Sequence, residues 1–127
     1  MTEDEFNTAL EKKYPQLWDK AHPVFRIGRG WWPLIEEFYE AMNQQYLESE
    51  DKAAWMNEFR VINIQNKMGY LHIYYAVKDA QKSALGSNLD LIKRSQKICE
   101  ECGKEGSLRA DLDYIQTLCD EHYEKVR

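Results

Sequence analysis

The sequence predicts an α+β fold, and three observations carry that prediction. Apolar residues recur at helical spacing as far as Tyr46, the spacing changes to two between Ile62 and Tyr75, and all three cysteines crowd into the last 29 of 127 residues. Together they describe N-terminal helices packed on a β-hairpin, with a small C-terminal module after it. A chain of this length makes one domain, 1–127, in which 1–97 form the helical and hairpin core and 98–127 the module.

The first helix opens on Thr2, with Glu5 three residues on at capping-box spacing. Phe6, Ala9, Leu10, Tyr14 and Leu17 follow as its apolar stripe. Pro15 disfavours a helical Tyr14, so a break falls there, with a short separate turn over Gln16 to Trp18. His22 to Gly30 read as a connector containing Pro23, Gly28 and Gly30. A second helix carries Pro33 in its first turn, where the missing N–H costs nothing. Its stripe is Leu34, Ile35, Phe38, Met42 and Tyr46, and Glu36, Glu37 and Glu40 suit its positive end.

The hairpin follows. Ile62 and Ile64 alternate with polar residues, as do Leu71, Ile73 and Tyr75, and Asn66 to Gly69 between them form the turn. A third main helix runs from Asn88 through Leu89 and Ile92 towards Cys99, with a turn or an earlier helix over 79–87.

Composition narrows the function. The chain is 43% hydrophobic and 13% aromatic, enough for a compact core. No run approaches the ~20 apolar residues of a membrane span, and the acidic N-terminus is unlike a secretory signal, which points to the cytoplasm. The net charge is −5, and all of it falls in residues 1–60, with 7 basic and 12 acidic side chains. That balance disfavours generic binding to a phosphate backbone and favours a basic partner surface.

The tail carries the chemistry. Cys99 and Cys102 are separated by two residues, as are Cys119 and His122, with 103–118 between the pairs. This C-x2-C-x16-C-x2-H spacing is that of structural zinc sites. Gly103 lets a tight turn close over the first pair, and the second pair suits the first turn of a helix capped near Thr117. A cysteine at a helix N-terminus favours the thiolate that a metal requires. A small hairpin over Gly106 to Arg109 separates the pairs, giving a treble-clef-like module with Cys99, Cys102, Cys119 and His122 on one Zn²⁺ ion. Four protein ligands leave no position for an activated water, so the zinc is expected to be structural and the protein not an enzyme.

The remaining candidates read more plainly. His22 and His72 are isolated, His72 on the polar face of a strand. Glu36, Glu37 and Glu40 have no catalytic partner repeated beside them and read as a solvated face or a partner surface. At least one of Trp31 and Trp32 belongs to the core. Lys93, Arg94, Lys97, Lys104 and Arg109 are interleaved with Glu100, Glu101 and Glu105 and read as a mixed-charge solvated face. Gly28-Arg29-Gly30 is too short for a phosphate loop.

The segments C-E-E-C-G-K-E-G-S-L-R (99–109) and T-L-C-D-E-H (117–122) resemble the tail of a group of small phage and prophage zinc-binding proteins. Gly30 to Ile35 and I-Q-N-K-M-G-Y-L-H (64–72) resemble that group's middle motifs. Met68 and His72 stand where it has Phe and Arg, and Leu112 to Tyr114 where it has G-G-W. Similar zinc-containing phage proteins include type II anti-CRISPR inhibitors, which bind an RNA-guided nuclease. The resemblance therefore implies a phage-encoded interaction protein whose partner is a host or CRISPR-associated nuclease, blocking its nucleic-acid loading or cleavage. On this reading the acidic stretch 36–51, and Glu36, Glu37 and Glu40 above all, faces the nuclease's positively charged channel. The alternative is a zinc-containing nucleic-acid-binding phage regulator that uses the basic residues of 93–109.

Overall fold

The structure, a computed structural model, describes residues 2–20, 25–77 and 89–127. His22 and Pro23, and the turn or helix expected over 79–87, lie outside the described residues. Helix α1 (Glu3–Lys13) begins with the capping box: the Glu5 N–H donates to Thr2 Oγ1 at 3.2 Å and the Thr2 N–H to Glu5 Oε1 at 3.3 Å. The break falls at Tyr14, and α2 (Pro15–Lys20) starts on the proline. Strand β1 (Phe25–Arg26) and a 3-10 turn (Arg29–Trp31) lead into α3 (Trp32–Glu48), with Pro33 in its first turn.

Helix α4 (Lys52–Glu58) follows at once, capped by Asp51, whose carboxylate accepts the Ala54 N–H at 3.0 Å. Strands β2 (Arg60–Lys67) and β3 (Tyr70–Ala76) form the expected hairpin. The described part of the next helix, α5, covers 89–95. Strands β4 (Ser107–Arg109) and β5 (Gln116–Leu118) and helix α6 (Asp120–Val126) complete the chain.

The larger sheet has the order β1-β2-β3, with β1 parallel to the central β2 and β3 antiparallel to it. Its β1 occupies part of the expected connector, because two residues are too few to show a period. Helix α4 is likewise beyond the expected elements. Its sequence signal is Asp51 followed by Trp55 and Phe59, which stack at 5.0 Å between ring centroids. The strand period also breaks. Val61 lies opposite Tyr75 but Asn63 opposite Tyr74, so Ile62 is an extra residue in a bulge and is turned outward at 65% exposure. Val61 and Ile64 are the buried pair.

The core is one cluster. Phe6, Leu10, Tyr14 and Leu17 from the first two helices join Leu34, Ile35, Phe38, Tyr39 and Met42 of α3 and Ile64, Leu71 and Ile73 of the sheet. Trp31 is fully buried, whereas Trp32 stays half-buried and stacks on Phe6 at 4.8 Å. Among the described residues, no helix is long and apolar enough to cross a membrane.

The β2–β3 turn puts Met68 at φ 57° and Gly69 at φ 97°. A left-handed methionine costs on the order of 1 kcal/mol, and at 61% exposure its side chain recovers little by burial. Met68→Asn, which tolerates that region, is expected to raise the melting temperature by a few degrees in a thermal unfolding scan. An unchanged or lower value would contradict the strain.

Candidate metal centre

The tail folds as a tight turn, a hairpin and a helix, and these bring four ligand atoms together. In the turn the Cys99 N–H donates to the Lys104 carbonyl at 2.7 Å and the Gly103 N–H to the Cys99 carbonyl at 2.8 Å, with Gly103 at φ 82°. This places Cys99 and Cys102 side by side. Strand β4 then crosses to β5, with Ser107 opposite Leu118, and so returns the chain to the turn. Cys119 is the N-cap of α6 and His122 sits in its first turn. The helix thus starts later than expected, and Thr117 is not its cap. Thr117 is a buried strand residue whose hydroxyl donates to the Gly69 carbonyl at 2.6 Å.

Cys102 Sγ lies 3.8 Å from Cys119 Sγ, Cys99 Sγ 3.7 Å from His122 Nδ1, and Cys119 Sγ 3.2 Å from His122 Nδ1. All four ligand atoms fall within 4.8 Å of one another. A tetrahedral ion with metal–sulfur bonds of ~2.3 Å and metal–nitrogen bonds of ~2.0 Å requires edges of ~3.8 Å and ~3.5 Å. The cluster fits one metal ion, and it uses every cysteine of the chain.

Local amides prepare the sulfurs. The backbone N–H of His122 draws the Cys119 thiol down to about 6, helped by the His122 ring and the neighbouring thiols. At Cys102 the Lys104 N–H acts in the same direction. Partial desolvation and hydrogen bonding to Cys99 and Cys119 outweigh it and leave that thiol raised.

Glu100, between the two cysteines of the turn, corrects the mixed-charge reading of this stretch. It is 3% exposed. Its carboxylate accepts from the Gly28 N–H at 2.9 Å, from Asn66 Nδ2 at 2.8 Å and from Gln116 Nε2 at 3.3 Å. The Gly30 N–H donates to its carbonyl at 2.7 Å, and Trp31 Nε1 to the carbonyl of Ile98 at 2.8 Å. The two glycines have a reason that is not phosphate binding. A Cβ on Gly30 would stand 2.0 Å from the Cys99 carbonyl oxygen, and one on Gly28 2.4 Å from that of Glu100. No residue pattern within the tail reveals this, because two of the three donors lie 34 and 72 residues away.

The other candidates are spread over the surface and engaged within the chain. Lys13 Nζ donates to Glu36 at 2.9 Å, Arg94 grips Glu37 through both oxygens at 2.6 and 2.7 Å, and the Tyr14 hydroxyl donates to Glu40 at 2.5 Å. Burial, then Glu40, pushes Tyr14 up to about 12. Of the basic cluster, Arg94 also meets Asp90, while Arg109 bonds the Leu118 carbonyl and Asp120 and lies over the Tyr123 ring. His72 packs between the rings of Tyr70 and Tyr74, and its buried Nε2 has no hydrogen-bond partner among the described residues. Burial, together with Lys67, lowers its pKa.

The chain is thus a mixed α+β protein with a Cys3His cluster able to hold one metal ion. Comparison with known proteins finds no matching family model, no matching curated protein and no matching solved structure.

Glu100→Gln keeps one acceptor oxygen but sets an amide NH2 against either the Gly28 N–H or the Asn66 and Gln116 amides, and each donor so stranded costs about 1–3 kcal/mol. The expected result is a lower melting temperature and weaker metal retention with every ligand intact; wild-type values would refute the anchoring role. Glu37 offers a second check, since its hydrogen bond to Arg94 lowers its pKa from the ordinary 4.5. The stabilisation from this exposed pair, no more than about 1 kcal/mol, is present above that value and lost as pH falls through the lowered one. Arg94→Met is expected to return the Glu37 titration, followed by NMR, to the ordinary range.

Proposed function

We propose that this protein is a binding module whose treble-clef-like tail is held by a structural Zn²⁺ ion, and that it acts on a macromolecular partner rather than on a small substrate. The closure of the ligand set carries this reading. Cys99, Cys102, Cys119 and His122 account for all four positions of a tetrahedron, and an ion held so has no site for water or substrate. When bound, it supplies folding energy in place of core that a 29-residue tail of this composition lacks. The order of tight turn, hairpin and helix supports the treble-clef comparison.

The resemblance of 99–109 and 117–122 to phage zinc proteins extends the proposal. The protein is an inhibitor that works in the cytoplasm of a bacterial host by binding an RNA-guided nuclease and blocking its nucleic-acid loading or cleavage. The acidic side of α3 is its partner surface. Glu36, Glu37 and Glu40 line a groove of about 320 Å³ with Lys13, Tyr14 and Pro33. The Lys13–Glu36 and Arg94–Glu37 bridges are exposed. Such pairs are worth about 0–1 kcal/mol each, so a partner's lysines or arginines can replace their internal cations.

The purified chain is expected to contain one zinc per molecule by elemental analysis, and chelation is expected to lower its melting temperature by more than ten degrees. Absence of stoichiometric metal, or an unchanged melt, would remove the structural-zinc reading. Co-purification with a panel of type II RNA-guided nucleases, with DNA cleavage assayed in parallel, tests the partner. Binding with loss of cleavage supports the inhibitor, and neither across the panel overturns it. Charge reversal by Glu36→Lys, Glu37→Lys and Glu40→Lys is expected to slow association at least tenfold at low salt, with unchanged metal content as the folding control.

A further inference from the structure

We propose that Cys119 and Cys102 are a hydroperoxide-sensitive thiol pair, so that the metal centre is also an oxidation site. The proposal rests on the metal-centre reading and adds to it an unequal environment of the three thiols.

Cys99 is fully buried, with the His122 ring 3.7 Å from its sulfur. Cys102 and Cys119 are each partly exposed, and their sulfurs are 3.8 Å apart. Cys119 lines a polar pocket, about 240 Å³ in volume, that neither Cys99 nor Cys102 lines; its walls are Glu105, Gly106, Ser107, Arg109 and Asp120. A water occupies about 30 Å³ of liquid, so hydrogen peroxide or a small alkyl hydroperoxide fits this space. The guanidinium of Arg109 is held in the wall by the Leu118 carbonyl at 3.2 Å and by Asp120 at 2.7 Å. It places a positive charge in the wall of the pocket, which favours an anionic oxygen leaving group. The pocket's charged lining disfavours apolar oxidants.

The chemistry balances. The Cys119 thiolate attacks one peroxide oxygen, the O–O bond breaks, and hydroxide leaves, with sulfenic acid formed on Cys119. The Cys102 thiolate then attacks that sulfur, forming the S–S bond and expelling a second hydroxide. Two thiolates lose two electrons and the peroxide gains them. Two of four ligands are consumed, so the ion is released, and the turn at 99–104 stays tied to the start of α6 by a covalent bond in its place.

The test uses the metal-loaded chain. Its metal content is first measured by elemental analysis, and the chain is then treated with hydrogen peroxide. Metal release is followed with a colorimetric chelator, and disulfides are mapped by mass spectrometry without reduction. The expected product is a Cys102–Cys119 link, with one metal ion released per link. Ser107→Trp, which narrows the pocket from an exposed strand position, is expected to slow both events at least threefold at unchanged melting temperature and metal content. Links to Cys99 formed as often, thiols that stay reduced in the metal-loaded chain, or wild-type rates in Ser107→Trp would each overturn the pair. A chain purified without metal that still forms the 102–119 link supports the pair and refutes the metal-centre reading, so the two fail separately.

Discussion

The carboxylate of Glu100 has to find hydrogen-bond donors inside the protein, because the turn between Cys99 and Cys102 leaves it buried. Burial of a carboxylate is tolerated only when charge-assisted hydrogen bonds replace its water. Its donors come from three separate places: the Gly28 backbone before α3, Asn66 at the end of β2, and Gln116 at the start of β5. One side chain therefore fixes the tail against both the helical layer and the sheet. The rest of the contact follows from that placement: the Trp31 indole on the Ile98 carbonyl, the Thr117 hydroxyl on Gly69, and glycines at 28 and 30, where any side chain would strike the turn.

This anchoring changes what the metal cluster is part of. Its four residues lie on a short turn and at the start of a seven-residue helix, and Cys99, Thr117 and Leu118 are fully buried. The turn that carries two ligands also presents the carbonyls on which Gly30 and Trp31 depend. The geometry of the cluster and the start of α3 are linked for that reason. Of the three thiols, Cys102 and Cys119 are the ones partly open to solvent.

Charge tells a related story. A count along the chain shows 36–51 without one lysine or arginine, but folding supplies them from elsewhere: Lys13 from α1 to Glu36, and Arg94 from α5 to Glu37. The basic cluster of 93–109 is depleted by the same events, since Arg94 and Arg109 spend their donors internally. What remains on that face is a set of weak, exposed pairs rather than a bare acidic field.

Local physics was readable in the residues themselves. The Thr2–Glu5 box, the break before Pro15, Pro33 at a helix start, the hairpin over 60–76 and the four residues of the Cys3His cluster each depend on neighbours a few positions away, or on the paired spacing of cysteine and histidine. Folding over longer distances decided the remainder. β1 exists because two residues find the free edge of β2, Ile62 faces outward because a bulge shifts the register, and Thr117 is a strand residue because Gly69 accepts its hydroxyl. Glu100 is buried because donors far from it in the chain converge on its carboxylate, and such convergence leaves no trace in composition or period.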